Sequence, residues 1–249
     1  MEPWIYTLVS VFLVSIISIV GIVGIILSKD KLKNILLILV SFSVGALFGD
    51  ALIHLLPEAF EELGINLSTS LLVILGILIF FVLEKFIRWR HCHILPESKE
   101  HIHPIVFTNL IGDGVHNFID GLLIGASYLV SIPIGIATTI AVVLHEIPQE
   151  LGDCGVLLHT GMSMKKALTF NFLSALTAVL GAIISLLLGG SVTGYASTLL
   201  PITAGGFIYI AGSDLIPELH HETKLSVSIG QLLAILFGVG VMALLILIG

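Results

Sequence analysis

WIYTLVSVFLVSIISIVGIVGIIL, Trp4 to Leu27, contains no charged residue. About 20 apolar residues in a helix cross the hydrocarbon core of a bilayer, so this run can span one. A cleaved leader is shorter and opens on a basic segment, whereas Met1-Glu2-Pro3 is acidic. The run therefore reads as a retained first helix, 4–28. Further apolar runs follow at 34–56, 69–90, 105–129, 133–158, 166–188, 198–219 and 226–248. The chain is 57% hydrophobic and only 11% charged, against about 25% charged in soluble domains, which excludes a soluble globular fold. The connections are short, so we expect one all-α integral membrane domain over 1–249 with eight transmembrane helices.

The basic residues fix an orientation. Lys29, Lys31 and Lys33 follow helix 1; Lys85, Arg88, Arg90 and Lys99 fall in or after helix 3. Lys165 and Lys166 follow helix 5, and Lys224 follows helix 7, while the connections after helices 2, 4 and 6 carry none. Basic loops stay in the cytoplasm, so both termini are expected outside. A wrong helix count would mix the charges across both sides. The net charge of −7 says less than this distribution. The expected setting is the lipid bilayer of the plasma membrane, with no nucleic acid partner. Cys92 and Cys154 are too few for a disulfide framework.

Two stretches match. Gly45–Glu58 reads GALFGDALIHLLPE and Gly205–Glu218 reads GGFIYIAGSDLIPE. Each opens on glycine, ends in apolar-Pro-Glu and carries a polar residue, His54 or Asp214, at the same place. The first lies in an outward-running helix and the second in an inward-running one. An inverted repeat of helices 1–3 and 6–8 around helices 4–5 has this form, and transporter folds built on such repeats hold substrate near the midplane.

Charged groups inside a bilayer are costly and usually serve a function. Helix 4 carries Asp113, His116, Asn117 and Asp120 at i, i+3, i+4, i+7 spacing, which places them on one face. Helix 5 carries a wider stripe of His145, Glu146, Gln149, Glu150 and Asp153. Carboxylates and imidazoles without basic partners call for a cation. Two antiparallel helices bring His116, Asp120, His145 and Gln149 to one depth. Imidazole, carboxylate and amide oxygen suit zinc, iron or manganese. Pro148 lacks an N–H and so frees the carbonyl of Leu144 beside His145.

At these residues the chain resembles the ZIP family (Zrt-, Irt-like proteins) of metal transporters. The resemblance rests on His116-Asn117-Phe118-Ile119-Asp120-Gly121 and His145-Glu146-Ile147-Pro148-Gln149-Glu150. Leu151-Gly152-Asp153, Asn171-Phe172-Leu173-Ser174-Ala175 and Gly49–Glu58 also look like that branch of the family. The resemblance implies eight helices, both termini outside, and a two-metal centre between helices 4 and 5. His116, Asp120, His145 and Gln149 would match one metal position. Asn117, Asp120, Glu146 and Gln149 would match the other, with Asp120 and Glu146 as bridges. Glu150 closes the same motif. The chain departs from the branch at Gln149, where the family has His, and an amide is a weaker, uncharged ligand. The resemblance further implies metal movement toward the cytoplasm and pairing as homodimers. Gly121 and Gly125 offer a GxxxG face for close packing.

The expected activity is transport of divalent cations, zinc foremost, with iron, manganese and cadmium as other substrates. Asp50, His54 and Glu58 fall toward the outer mouth; Glu218, His220 and His221 fall at the inner one. With Asp113, Asp153 and Asp214 they are candidates for the ion pathway. The cytoplasmic segment 91–104, with HCHILPESKEHIH from His91 to His103, fits metal collection and fits a flexible linker equally by composition. The alternative from another class is an intramembrane zinc hydrolase using metal-bound water. Against it, position 149 is Gln, so the HExxH pattern is broken.

Overall fold

The computed structural model describes residues 2–22, 29–91, 102–221 and 224–247, and all regular structure among them is helical. Helix α1 is Glu2–Ile17, continued by a 3-10 turn over Ser18–Ile22. Helix α2 runs as Lys29–Gly49, a π turn at Asp50–Leu55, and Leu56–Leu63. Helix α3 is Leu67–His91, α4 is Ile102–Val130 and α5 is Ile132–His159. Helix α6 is Met164–Ala175 and, after a break at Leu176, Thr177–Ser191. Helix α7 runs as Tyr195–Tyr209, a π turn at Ile210–Leu215, and Ile216–Leu219, and α8 is Leu225–Leu245. The end of the first expected run, 23–28, and most of the histidine-rich segment, 92–101, lie outside the described residues.

Local sequence explains the tight ends. Gly64 takes φ 80° at the end of α2, a conformation glycine adopts without steric cost. Asn66 Oδ1 then accepts the Thr69 backbone N–H at 3.1 Å to open α3. Ser131 caps α5 by accepting from the Ile134 N–H at 3.3 Å, with a proline in the first turn, where its missing N–H costs nothing.

Seven helical stretches are long and apolar enough to cross a membrane. The remaining helix, α4, is long enough at 29 residues but its hydropathy is diluted by the polar residues it presents to the protein interior. Asp113, Asn117 and Asp120 are all buried. Around the bundle, aliphatic and aromatic side chains such as Leu78, Val82, Leu233 and Phe237 face outward, as a lipid-contacting surface requires.

The inverted repeat is visible residue by residue. The two π turns, Asp50–Leu55 and Ile210–Leu215, occupy the same positions of the two matched stretches, each just before the Pro-Glu pair. Helix α2 packs along α8, and its counterpart α7 packs along α3. The contacts are equivalent too. A side chain on Gly45 would collide with the Ile235 carbonyl and one on Gly238 with the Phe42 carbonyl. In the other half, Gly205 faces the Val73 carbonyl and Gly76 faces the Ile202 carbonyl. Backbone contact this close is how membrane helices associate when lipid offers no hydrophobic drive.

Helices α4 and α5 lie between the halves. Helix α4 packs along α6, and α1 leans on α5 and α6. The GxxxG pair serves this packing inside the chain: Gly121 faces the Ala178 backbone and Gly125 faces Ser185. It is therefore not a free face for a second copy. The main core gathers Leu123, Ile124, Ala141, Val142, Leu47 and Phe207 where α2, α4, α5 and α7 meet.

Candidate metal centre

Four side chains converge where α4 and α5 cross at mid-length. His116 and Asp120 are one turn apart on α4; His145 and Glu146 are neighbours on α5. His145 Nε2 lies 3.2 Å from Asp120 Oδ2 and 3.7 Å from Glu146 Oε1. His116 Nε2 lies 3.6 Å from Asp120 Oδ2, 3.5 Å from Glu146 Oε1 and 3.3 Å from His145 Nε2. One donor atom from each residue falls within 4.8 Å of all the others. A tetrahedral zinc ion with ligands at about 2.0–2.1 Å sets its donor atoms about 3.3 Å apart, so most of these separations match that shell.

The surroundings prepare the donors. Ala141 O lies 3.0 Å from His145 Nδ1 and takes the proton there, which leaves the Nε2 lone pair directed at the cluster. Phe80 of α3 meets the His116 ring edge-on at 6.1 Å, and Phe207 of α7 meets His145 at 6.1 Å. The oxygens of Asp120 and Glu146 are buried without a hydrogen-bond partner outside the cluster. Helices α4 and α5 contain no lysine or arginine. Two buried carboxylates with no fixed cation are strongly unfavourable, and a divalent ion between them removes the penalty.

The model of the family described as ZIP zinc transporter matches residues 1–105 and 90–246. The chain belongs to the ZIP family. It is similar to the Zinc transporter ZIP13 of Pongo abelii, 37% identical over 83% of this chain and 65% of that one. It is also similar to the Zinc transporter ZIP13 homolog of Drosophila melanogaster, at 33% over 84% and 77%, and to the Zinc transporter zipt-7.1 of Caenorhabditis briggsae, at 32% over 82% and 69%.

Other polar residues of this ZIP chain take places around the four. Gln149 stands one turn beyond His145 and lines a cavity of about 230 Å³ with His116, Asp113, Asp153 and Asp214. Asn117 donates from Nδ2 to Asp113 Oδ1 at 2.9 Å, and its own Oδ1 is buried without a partner. Asp113 is held on its other oxygen by the Ser174 hydroxyl of α6. Glu150 accepts from Asn171 Nδ2, also of α6, and keeps its second oxygen unpaired.

The pathway candidates divide. Asp113, Asp153 and Asp214 share the cavity. Asp50 and His54 form a separate pair on the π turn of α2, Nδ1 to Oδ1 3.2 Å. Glu218, His220 and His221 are exposed at the end of α7. The cavity is also lined by Glu84, Asn109 and Tyr209, which sequence reading missed. Glu84 adjoins Lys85 and Arg88 and reads there as part of a charged helix end. Asn109 does lie one turn before Asp113, and its i, i+4, i+7 spacing to Asp113 and His116 was the available signal.

Proposed function

We propose that this chain moves divalent metal ions, zinc foremost, across the membrane through the α4–α5 centre. The observation that carries the reading is the set of four donor atoms, from buried Asp120, His145 and Glu146 and from His116 at the cavity edge, at mostly tetrahedral separations. Two carboxylates and two neutral imidazoles would neutralise a divalent ion and replace its hydration shell with donors of suitable chemistry. Asn117, with its amide nitrogen held by Asp113, has its oxygen free for a second ion. Gln149 would complete the set toward the cavity, and Glu150, held by Asn171 with one oxygen unpaired, would support it from the α6 side. Iron, manganese and cadmium are further substrates this mixed set would accept.

Access is one-sided. Beyond Asp120 and His145, the helices are sealed by Leu123, Ile124, Ala141 and Val142. On the other side, the cavity reaches from His116 past Asp113 and Asp153 to Asp214, toward the helix ends that carry the basic connections. Basic connections face the cytoplasm, so the ion would leave into the cytoplasm and both termini would lie outside. Asp50 and His54 would receive it from the outer side. We place the protein in the plasma membrane and read it as a homodimer, with a contact surface other than the Gly121–Gly125 face.

The test is zinc uptake into liposomes carrying the purified protein, with lipid and peptide cleavage measured in parallel. Uptake without cleavage is the expected result. Cleavage without uptake would establish the hydrolase instead.

A further inference from the structure

Pro148 sits inside α5 and has no N–H, so the carbonyl of Leu144 one turn before it cannot make its helical hydrogen bond. That carbonyl belongs to the residue directly before His145 and Glu146. It is not open to the cavity. Ser43 of α2 reaches across and places its Oγ 2.5 Å from Leu144 O. The same hydroxyl lies 2.8 Å from Leu39 O in its own helix, so its single proton is shared, with the shorter distance to Leu144. Ser43 is fully buried.

The inverted repeat shows that this bond is particular. Thr203 of α7 occupies the position that matches Ser43, and its hydroxyl donates to Leu199 within its own helix at 2.8 Å. Leu199 is the match of Leu39. Both halves therefore keep the helix-internal bond, and only the half that faces the proline-bearing helix adds a bond across helices. Helix α4, which lies against α7, has no proline at its centre and no orphaned carbonyl there to satisfy.

We propose that Ser43 is a positioning residue for the metal centre: by capping the Leu144 carbonyl that Pro148 leaves unpaired, it fixes the backbone that presents His145 and Glu146. The inference rests on reading His145 and Glu146 as metal donors. A helix turn missing one hydrogen bond is free to tilt, and a tilt at Leu144 moves both donors on α5 relative to His116 and Asp120 on α4. A metal shell tolerates little of this, since donor distances must hold within about 0.2 Å.

The experiment is a double-mutant cycle on the full chain, read by equilibrium zinc binding in detergent and by uptake into liposomes. Ser43→Ala should lower zinc affinity about tenfold, the scale expected when a buried acceptor loses its donor, and Ser43→Thr should restore it. Pro148→Ala returns an N–H to α5 and lets Leu144 bond within its own helix. In that background Ser43→Ala should change affinity less than twofold. Binding keeps the cycle readable even if the Pro148→Ala protein transports slowly. Ser43→Cys, of similar shape with a weak donor, should show the same loss if the alanine variant fails to reach the membrane. Thr203→Ala should bind as the parent does. Unchanged affinity in Ser43→Ala, or an equal loss in both backgrounds, would overturn the inference. His145→Ala separates the two levels: zinc binding that survives it would overturn the metal reading itself, whereas its loss beside a silent Ser43→Ala overturns only the positioning role.

Discussion

Asp120 Oδ2 stands 3.2 Å from His145 Nε2 across the α4–α5 interface, with both side chains buried. Without a metal, the carboxylate gains little there, because its oxygens have no hydrogen-bond partner beyond the cluster. Asp120→Asn keeps the shape and removes the charge. Zinc uptake should fall at least about tenfold, the scale of losing a metal's supporting group, while the thermal midpoint of metal-free protein holds or rises. Glu61→Gln, at an exposed position, should leave uptake unchanged. Normal uptake in Asp120→Asn would remove the α4 carboxylate from the ion's path.

Gln149 lines the cavity beside His116 and Asp113, one turn from His145. An amide oxygen is a neutral, hard donor, and imidazole is the better one for zinc. Gln149→His should tighten zinc binding several-fold and favour zinc over manganese. Competition between the two ions, measured by calorimetry on the same preparations, checks this. Unchanged preference would mean that position 149 does not touch the ion.

Much of this was legible in the sequence, because a bilayer enforces simple rules. Span length, the alternation of Lys and Arg between connections, and the i, i+3, i+4, i+7 face of α4 all follow from one-dimensional spacing. The four clustered donors were among the residues singled out, since a His or Asp on an apolar helix is conspicuous. What stayed hidden depends on partners distant in sequence. Ser174 and Asn171 hold Asp113 and Glu150, and Ser43 holds Leu144; serine and asparagine are common in membrane helices and mark no partner on their own. Pro148 did announce a freed carbonyl, but not the helix that would satisfy it. Gly121 and Gly125 announced close packing without saying that α6 would fill the face.

Gly45 and Gly205 hold equivalent contacts in the two halves, each with a backbone carbonyl of the neighbouring helix where a Cβ would be. Gly45→Ala or Gly205→Ala must push α2 from α8, or α7 from α3. Overpacking of this kind costs about 1–3 kcal/mol, and the thermal midpoint should fall in both variants by similar amounts. Gly155→Ala, with nothing within 4 Å of the added carbon, should not lower it. A neutral Gly205→Ala beside a destabilised Gly45→Ala would break the equivalence of the halves.

The cavity residues lie on one side of the centre and packed core residues on the other, and thiol labelling can test whether access is one-sided. In a background with Cys92 and Cys154 replaced, Asn66→Cys and Thr193→Cys sit in the connections after α2 and α6. A membrane-impermeant maleimide applied to intact cells should label both. Lys224→Cys, after α7, should react only once the membrane is opened. Asp214→Cys lines the cavity and should follow Lys224→Cys, and zinc should slow its labelling because the ion shares that space. Val142→Cys lies in the core beyond the centre and should stay unlabelled from either side while the protein holds this conformation. Labelling of Lys224→Cys in intact cells would reverse the orientation. Labelling of Val142→Cys from the side of Asn66, with Asp214→Cys protected, would mean that the path opens outward and that the cavity beside His116 is not the exit.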